Sequence, residues 1–441
     1  MFLKKIIVIL TVCLTIFAAC SVSSRKTERN LSHYQIDLSL VPSDKLIEAR
    51  VDLKFYPQED NLKDVVFYLH KQLSIKEVNG RLISGFHFDR EGKSPASYLP
   101  QGRPVTIQFS RPLRKEESTT LHFVYEGVIT EWPSWSANVI TKEWVEIGLY
   151  LPWFPYNEEY GDFTFKVKVK IDPQYQVCSY GQAKKSGPVW TVCWNNPTND
   201  IVIMASKEMK SITLHEQDLL VNVYYITLQE KTAKQMAEDF YAAMTLFKSW
   251  FGGNKSNAIS LVESVRERGG GYARRGLIVL GGLNDQMYFE KKETYVRYLS
   301  HEVAHLWWQG ASNVSWEDWM NEGFAEYSAM LVVRELFGRE AFERRLSDKV
   351  ANIQSTAPIW GFNRNDRSTQ EKRDEIEKIL YSKGPMLLNK LEVKIGKENF
   401  IELCRSLFAN NISTTDGFLE ILGSLEGDEV KIWFETLLKT R

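Results

Sequence analysis

The period of the hydrophobic pattern changes once along this 441-residue chain, near residue 210. From His33 to about Met209 apolar and polar residues alternate, which predicts antiparallel strands with one buried face. From Ala233 to Phe251 apolar residues recur at steps of three and four, which predicts an amphipathic helix, and helical periodicity prevails from about Lys291 onward. Strands that precede helices in this way are typical of an α+β fold.

The first twenty residues have the order of a secretory signal. Lys4 and Lys5 precede an apolar run, and small residues stand directly before Cys20, which resembles the bacterial lipobox, whose cysteine becomes the lipidated first residue. We therefore expect an exported lipoprotein of the bacterial cell envelope, anchored to a membrane through Cys20, with the leaflet left open; an uncleaved anchor or plain secretion is the alternative. The expected segments are a signal peptide (1–19), a flexible tether (20–32), an antiparallel β domain (33–210) and a mostly helical domain (211–441).

The charges of the chain are almost balanced, with 55 lysines and arginines against 56 aspartates and glutamates. This balance argues against the large basic surface that a nucleic-acid-binding protein uses. We therefore expect no nucleic acid partner. The sequence leaves the oligomeric state open.

Three cysteines remain beyond the predicted signal and Cys20. Cys178 and Cys193 flank a predicted hairpin, and in an oxidising compartment they either pair or remain two buried thiols. Cys404 lies among apolar residues and is predicted to belong to the core.

A metal-binding motif lies in a stretch that is predicted to be helical from about Glu293 to Trp308. Its sequence is His-Glu-Val-Ala-His, from His301 to His305. At 3.6 residues per turn the two histidines share one face of the helix, and Glu302 stands beside them. A catalytic zinc has three protein ligands and one open position for water. The motif therefore predicts a catalytic zinc whose third ligand comes from another part of the chain.

The segment Asn321-Glu322-Gly323 follows this motif, and together they resemble the gluzincin metallopeptidases of the aminopeptidase N family. The resemblance implies that Glu322 is the third ligand of one zinc per chain and that residues 211–441 form a thermolysin-like catalytic domain. Sixteen residues separate His305 from Glu322, a shorter spacing than is usual in the family. Glu326, one helical turn further on, is the alternative ligand.

A second segment, Tyr381-Ser382-Lys383-Gly384, is similar to the family segment whose tyrosine hydroxyl stabilises the tetrahedral oxyanion. The resemblance therefore implies a catalytic role for Tyr381, as a neutral donor that acts where charge develops. The alternative is a core tyrosine in front of a helix opened by Pro385. Glu302 is expected to be the general base, which takes a proton during attack and returns it to the leaving amine.

A third family element is altered in this sequence. The family's Gly-x-Met-Glu-Asn edge strand, whose glutamate binds the substrate's free α-amine, aligns with Gly270, Gly271, Tyr272, Ala273, Arg274 and Arg275. Alanine stands at the glutamate position, and inward-facing arginines would repel an ammonium group and favour a substrate carboxylate. We therefore expect altered amine recognition. The alternative is that both arginines face solvent and that Glu143 or Glu146 binds the amine instead.

These features together predict a lipid-anchored zinc metallopeptidase that acts on peptide substrates and is aminopeptidase-like. One alternative is a zinc hydrolase that cleaves a non-peptide bond at the same metal. Another is a surface binding protein with a structural zinc, against which the intact Glu302 argues, because a structural site gains nothing from an unligated carboxylate beside the metal.

Overall fold

The computed structural model describes residues 30–96, 98–115, 117–136, 138–216, 218–253, 258–266, 270–353 and 356–441. The predicted signal peptide, Cys20 and most of the predicted tether lie outside these residues. Strand β1 begins at Ser32, so the last residue of the predicted tether belongs to a sheet. No helix in the described ranges is long and apolar enough to span a bilayer.

The first half of the described chain is built from strands, as the alternating pattern predicts. Ile36 and Leu38, for example, are buried, whereas the side chain of Asp37 between them is exposed. The strands are β1 (Ser32–Val41), β2 (Leu46–Phe55), β3 (Leu62–His70), β4 (Ser74–Asn79), β5 (Ile83–Phe88), β6 (Gly102–Leu113), β7 (Thr119–Val128), β8 (Val139–Ile140), β9 (Val145–Ile147), β10 (Phe163–Lys170), β11 (Gln176–Cys178), β12 (Lys184–Ser186), β13 (Val189–Thr198) and β14 (Ile203–Ser206).

These strands form three sheets with the orders β12-β13-β10-β1-β2-β7-β4, β11-β14-β9-β8 and β3-β6-β5. The pairing is antiparallel except between β1 and β10, which run parallel. The prediction of a purely antiparallel domain is wrong at this pair. A parallel pair needs a long crossover connection, and the many strands between β1 and β10 provide one.

Cys178 and Cys193, for which the sequence left open a disulfide or two buried thiols, are free thiols in this structure. Cys178 is buried in β11, whereas Cys193 is exposed on β13, in a different sheet. The expectation of two buried thiols is therefore correct for Cys178 and wrong for Cys193. Cys404 is buried, as predicted for a core residue.

The second half begins with a mixed sheet of order β15-β16-β17-β19-β18. Its strands are β15 (Lys210–Glu216), β16 (Leu219–Tyr225), β17 (Ala258–Glu263), β18 (Gly271–Arg274) and β19 (Leu277–Leu280). The helices are α1 (Glu230–Phe251), α2 (Asp285–Glu290), α3 (Lys292–Ala304), α4 (Trp319–Phe337), α5 (Arg339–Asn352), α6 (Gln370–Lys378), α7 (Gly384–Ile395), α8 (Lys397–Ala409), α9 (Thr415–Glu426) and α10 (Asp428–Lys439). The molecule is therefore α+β, with sheets first and helices after them.

The mixed sheet separates two hydrophobic cores. Val262 and Val279 belong to the core of the preceding strands, whereas Leu261 and Ile278 belong to the core of the helices. Successive side chains of a strand point to opposite faces. The same sheet therefore contributes side chains to both hydrophobic cores. The predicted domain boundary at residue 210 coincides with the start of β15 and remains a prediction, because contacts join Leu31–Arg441 into one compact unit.

Helix α3 is shorter than the sequence predicts, because it ends at Ala304 rather than at Trp308. Leu306 and Trp307 donate to the carbonyls of Val303 and Ala304, three residues back, which tightens the chain into a turn. In this turn Trp308 is buried, and its ring lies 5.2 Å from the ring of Phe251. Burial of the two tryptophans against the end of α1 therefore accompanies the early end of the helix.

Candidate metal centre and active site

The structure brings together the three residues that the sequence predicts as metal ligands. His301 lies in the last turn of α3, His305 caps that helix, and Glu322 lies in the first turn of α4. Glu322 Oε2 is 3.3 Å from His301 Nε2 and 3.5 Å from His305 Nε2. A tetrahedral zinc with ligand bonds of about 2.0–2.2 Å would separate its ligand atoms by about 3.3–3.6 Å. These two distances fit that ion, and all three ligand atoms lie within 4.8 Å of one another.

The chemistry of the three atoms also fits a cation. Glu322 Oε2 is buried and has no hydrogen-bond donor of acceptable geometry among the described residues. Burial opposes ionisation, but His305 and His301 hold the pKa of Glu322 well below its ordinary value. For His301, burial alone would lower the pKa, but Glu322 and Glu326 raise it to about 10. The carboxylates therefore favour a positive charge at this position, and a divalent metal would displace the protons from the histidines.

Other contacts fix the orientation of both imidazoles. His305 Nδ1 lies 2.9 Å from the carbonyl oxygen of Trp308, and His301 Nδ1 lies 3.2 Å from Glu326 Oε2. Because each Nδ1 faces one of these oxygens, each Nε2 is directed toward Glu322. The predicted alternative, Glu326 as a ligand, disagrees with this geometry, because Glu326 lies behind His301 rather than beside its Nε2.

Glu326 is held by charges as well as by His301. It is 1% exposed, and Arg297 and Lys349 each lie 2.5 Å from one of its oxygens. An acidic partner on the outer nitrogen of a ligating histidine raises the basicity of the ligand and fixes its ring. The sequence signal for this residue was only its position one turn after Glu322, which did not reveal which side of His301 it would reach.

Glu326→Gln should therefore lower the affinity for zinc by about 10–100-fold. Glutamine keeps the size of the side chain but loses the charge that polarises His301. The affinity is measured by competition with a metal chelator. Glu335→Gln is the matched control, because Glu335 lies on the same helix, pairs with Lys397 near the surface and should leave the affinity unchanged. Equal affinities in both variants would remove Glu326 from the zinc site.

Glu302 lies beside the ligand cluster and close to the edge strand β18. It is 6% exposed, and burial raises its pKa above the ordinary value. A Cβ atom added to Gly271 would lie 3.2 Å from Glu302 Oε1, 2.9 Å from the Tyr298 hydroxyl and 2.3 Å from the carbonyl oxygen of Val279. The edge strand can approach the carboxylate this closely only because residue 271 is glycine.

Tyr381 lies beside the cluster. It belongs to a π-helical segment, Ile379–Lys383, and its ring centroid is 5.7 Å from that of His301. Burial and the nearby charge of Glu322 raise the pKa of Tyr381 well above its ordinary value, so the hydroxyl keeps its proton at neutral pH. Tyr381 thus lies close to one of the predicted metal ligands, with its hydroxyl protonated.

Strand β18 forms the edge of the mixed sheet, antiparallel to β19. Its side chains alternate: Ala273 packs on the core of the helices, whereas Tyr272 and Arg274 point to the preceding β sheets. Arg274 Nε donates to Asp200 Oδ2 at 3.0 Å, and Asp200 is 1% exposed. Arg275 Nη1 donates to Asp162 Oδ2 at 2.7 Å. Each arginine thus has a carboxylate partner. Arg274 is almost buried, so the solvent-facing expectation is wrong for it, whereas 42% of the Arg275 side chain is exposed.

The two glutamates that were the alternative amine-binding groups occupy different environments. Glu146 has no exposed surface, and it accepts hydrogen bonds from Asn138, Trp144, Ser264 and Tyr272. Its oxygens are therefore closed to a substrate amine in this arrangement. Glu143 is exposed, and its carbonyl oxygen accepts a hydrogen bond from the Ser206 hydroxyl.

Arg274→Leu should destabilise the fold by about 3–5 kcal/mol, because it leaves the carboxylate of Asp200 buried without its cation. The free energy of unfolding is measured in a denaturant titration followed by tryptophan fluorescence. Arg275→Leu removes the more exposed pair with Asp162 and should cost about 0–1 kcal/mol. A second change, Asp200→Asn in the Arg274→Leu background, should recover stability. Equal costs for the two arginines would show that the buried pair does not hold the strand.

Comparisons with known proteins find similarity to zinc metallopeptidases and aminopeptidases. The family model for the peptidase family M1 domain matches residues 279–436. Aminopeptidase N of Streptomyces lividans is 24% identical over 178 residues, which are 36% of this chain and 20% of that protein. Endoplasmic reticulum aminopeptidase 2 of Homo sapiens is 30% identical over 115 residues, 24% of this chain and 11% of that protein. The chain thus spans a fifth or less of the length of these curated relatives.

Solved structures match over almost the whole chain. The M1 zinc metallopeptidase from Deinococcus radiodurans has a TM-score of 0.68 at 16% identity, with 93% of this chain and 94% of that chain covered. A two-domain M1 zinc metallopeptidase mutant bound to L-tryptophan has a TM-score of 0.71 at the same identity and coverage. At this identity the likeness shows the shared fold. Residues 279–436, which carry the helix-borne histidines and the glutamate, thus resemble the peptidase family M1 domain, and the chain shares the fold of the M1 zinc metallopeptidases.

Proposed function

We propose that this chain is a zinc-dependent peptidase that hydrolyses peptide bonds. The observation that carries the proposal is the cluster of His301, His305 and Glu322 with Glu302 beside it. When bound, zinc supplies a water of lowered pKa and polarises the scissile carbonyl. Glu302 takes the proton of the attacking water and returns it to the leaving amine. Tyr381 donates its hydroxyl proton in a hydrogen bond to the oxyanion.

The direct test uses the full chain purified in detergent. Metal analysis should find one zinc per chain, and cleavage of a diverse peptide mixture should stop when a chelator removes the zinc and resume when zinc is restored. Mass spectrometry of the products separates trimming from the N-terminus from internal cleavage. A zinc-loaded chain that leaves every peptide intact would overturn the proposal.

Tyr381→Phe should lower turnover by about 10²–10³-fold, the usual cost of one lost oxyanion donor. Zinc content should not change, because the hydroxyl is outside the ligand set. Initial rates on one peptide found in the mixture provide the measurement. A neighbouring substitution that keeps Tyr381, Lys378→Met at the end of α6, is the control. An unchanged rate in Tyr381→Phe would leave the residue a packing role only.

We also propose that recognition of the substrate's free amine is altered. Ala273 offers no carboxylate, Glu146 is closed off, and Arg274 and Arg275 are engaged by Asp200 and Asp162. The side chains of β18 therefore provide no anion for an ammonium group. One peptide with a free and with an acetylated N-terminus should be cleaved at similar rates. A strong demand for the free amine, abolished by Glu146→Gln or Glu143→Gln, would restore ordinary aminopeptidase recognition.

The order of the first twenty residues supports an exported protein held to a membrane by a lipid on Cys20. Metabolic labelling with a fatty acid should mark the protein, and Cys20→Ser should lose the label and the membrane association together. A labelled Cys20→Ser variant would contradict this localisation.

A further inference from the structure

A cavity of about 140 Å³ lies beside the edge strand, and an arginine that the sequence argument did not single out lines it. The lining includes Trp135, Tyr150, Tyr272, Ser264 and Arg266. Pockets for whole small-molecule ligands begin at about 300 Å³. This cavity is therefore of a size for one side chain, not for a complete ligand.

The cavity adjoins the proposed general base. Gly271 belongs to its lining, and a Cβ atom on Gly271 would lie only 3.2 Å from Glu302 Oε1. In the proposed reaction Glu302 acts at the attacked carbonyl. The substrate side chain nearest to the cavity is thus that of the residue whose carbonyl is attacked.

The walls of the cavity are aromatic. The ring of Tyr150 makes edge contacts with Trp135, at 5.3 Å between centroids, and with Tyr272, at 6.2 Å. Such walls suit the methylene groups of a side chain. They set no preference for a charge by themselves.

The polar groups of the cavity differ in whether they already take part in a hydrogen bond. The hydroxyls of Ser264 and Tyr272 both donate to the carboxylate of Glu146, at 3.1 and 2.9 Å, so their protons are committed. The guanidinium of Arg266 packs over Gly270, which has a φ of +79°, with Nη1 3.5 Å from the position that a Cβ atom would take. Among the described residues that line the cavity, Arg266 is the one with a charged side chain. Its guanidinium forms no ion pair and no hydrogen bond with any described residue. An anion that entered the cavity would meet a guanidinium with which no described residue pairs.

We propose that this cavity binds an acidic side chain, glutamate or aspartate, of the residue whose carbonyl is attacked, and that Arg266 is the residue that determines this specificity. The inference rests on the proposed peptidase function and names its substrate class. Charge-assisted hydrogen bonds from a guanidinium to a carboxylate provide the selectivity. The carboxylate preference expected from Arg274 and Arg275 is thereby assigned to a different arginine.

The test compares pentapeptides that differ only in their first residue, which is glutamate, glutamine, leucine or tryptophan, each with a free and with an acetylated N-terminus. The rate of cleavage after that residue is measured for the parent chain, for Arg266→Met and for Arg50→Met. Arg50 is an exposed residue of β2 and controls for the loss of one positive charge. Circular dichroism confirms that each variant is folded.

We expect the parent chain and Arg50→Met to cleave the glutamate peptide about 10–100-fold faster than the glutamine peptide. In Arg266→Met this ratio should fall to about one. Equal rates for glutamate and glutamine in the parent chain, a preference for tryptophan, or a glutamate preference that survives in Arg266→Met would each overturn the inference alone. Failure to cleave any of the peptides would overturn the proposed peptidase activity as well, so the two failures are distinguishable.

Discussion

Glu322→Ala should leave the chain without stoichiometric zinc and without peptidase activity. The residue supplies the one anionic ligand atom, and it faces two imidazole nitrogens at 3.3 and 3.5 Å. Without it, two neutral histidines remain, fewer than the three protein ligands of a catalytic zinc. The loss of affinity should exceed the about 10–100-fold expected of an outer residue such as Glu326.

The measurement is zinc per chain after dialysis, together with the dissociation constant from chelator competition. Glu335→Ala, on the same helix, is the control that should keep its zinc. The side chain of Glu322 contacts the histidines rather than the core, so the fold should survive, and unchanged circular dichroism checks this. Full zinc occupancy in Glu322→Ala would move the third ligand elsewhere and would require another arrangement of the cluster.

Local patterns were sufficient for the parts of this protein that depend on nearby residues. The four-residue step between His301 and His305 places both on one face of a helix wherever that helix lies in the fold. The alternation of β1 and the three- and four-residue steps of α1 likewise identify buried faces without knowledge of their partners. These features give the α+β order and two of the three proposed ligands.

The remaining features depend on partners that are distant in the sequence. Arg274 pairs with Asp200, 74 positions away, and its orientation depends on which face of a four-residue strand it occupies. A shift of one residue in that strand would exchange the faces. The parallel pairing of β1 with β10 and the position of Glu326 behind His301 are also set by packing between separate elements. The resemblance to a family supplied Glu322 and Tyr381 but could not decide between alternatives of this kind.

Glu302→Gln should separate metal binding from catalysis. Glutamine has the size of the parent side chain and no basic oxygen, so turnover should fall by about 10²–10⁴-fold while zinc stays bound. Retention of zinc is expected because the ligand cluster consists of His301, His305 and Glu322, without Glu302. The substitution also replaces a buried carboxylate, whose pKa is raised by burial, with a neutral amide. Because a neutral group costs less to bury than a charged one, we expect the variant to fold.

The comparison that decides this prediction combines single-turnover rates on one peptide with zinc content measured on the same samples. Glu293→Gln is the matched control, because Glu293 lies in the first turn of the same helix and pairs with Arg344 and Arg345 at the surface, away from the cluster. The control should keep both zinc and turnover. If Glu302→Gln hydrolyses the peptide at the parent rate, Glu302 is not the base and another group must take the proton of the water. If Glu302→Gln loses zinc together with turnover, the Glu302 carboxylate contributes to the metal site. The assignment of Glu322 as ligand and Glu302 as base, which rests on the 3.3 and 3.5 Å contacts of Glu322, would then be wrong.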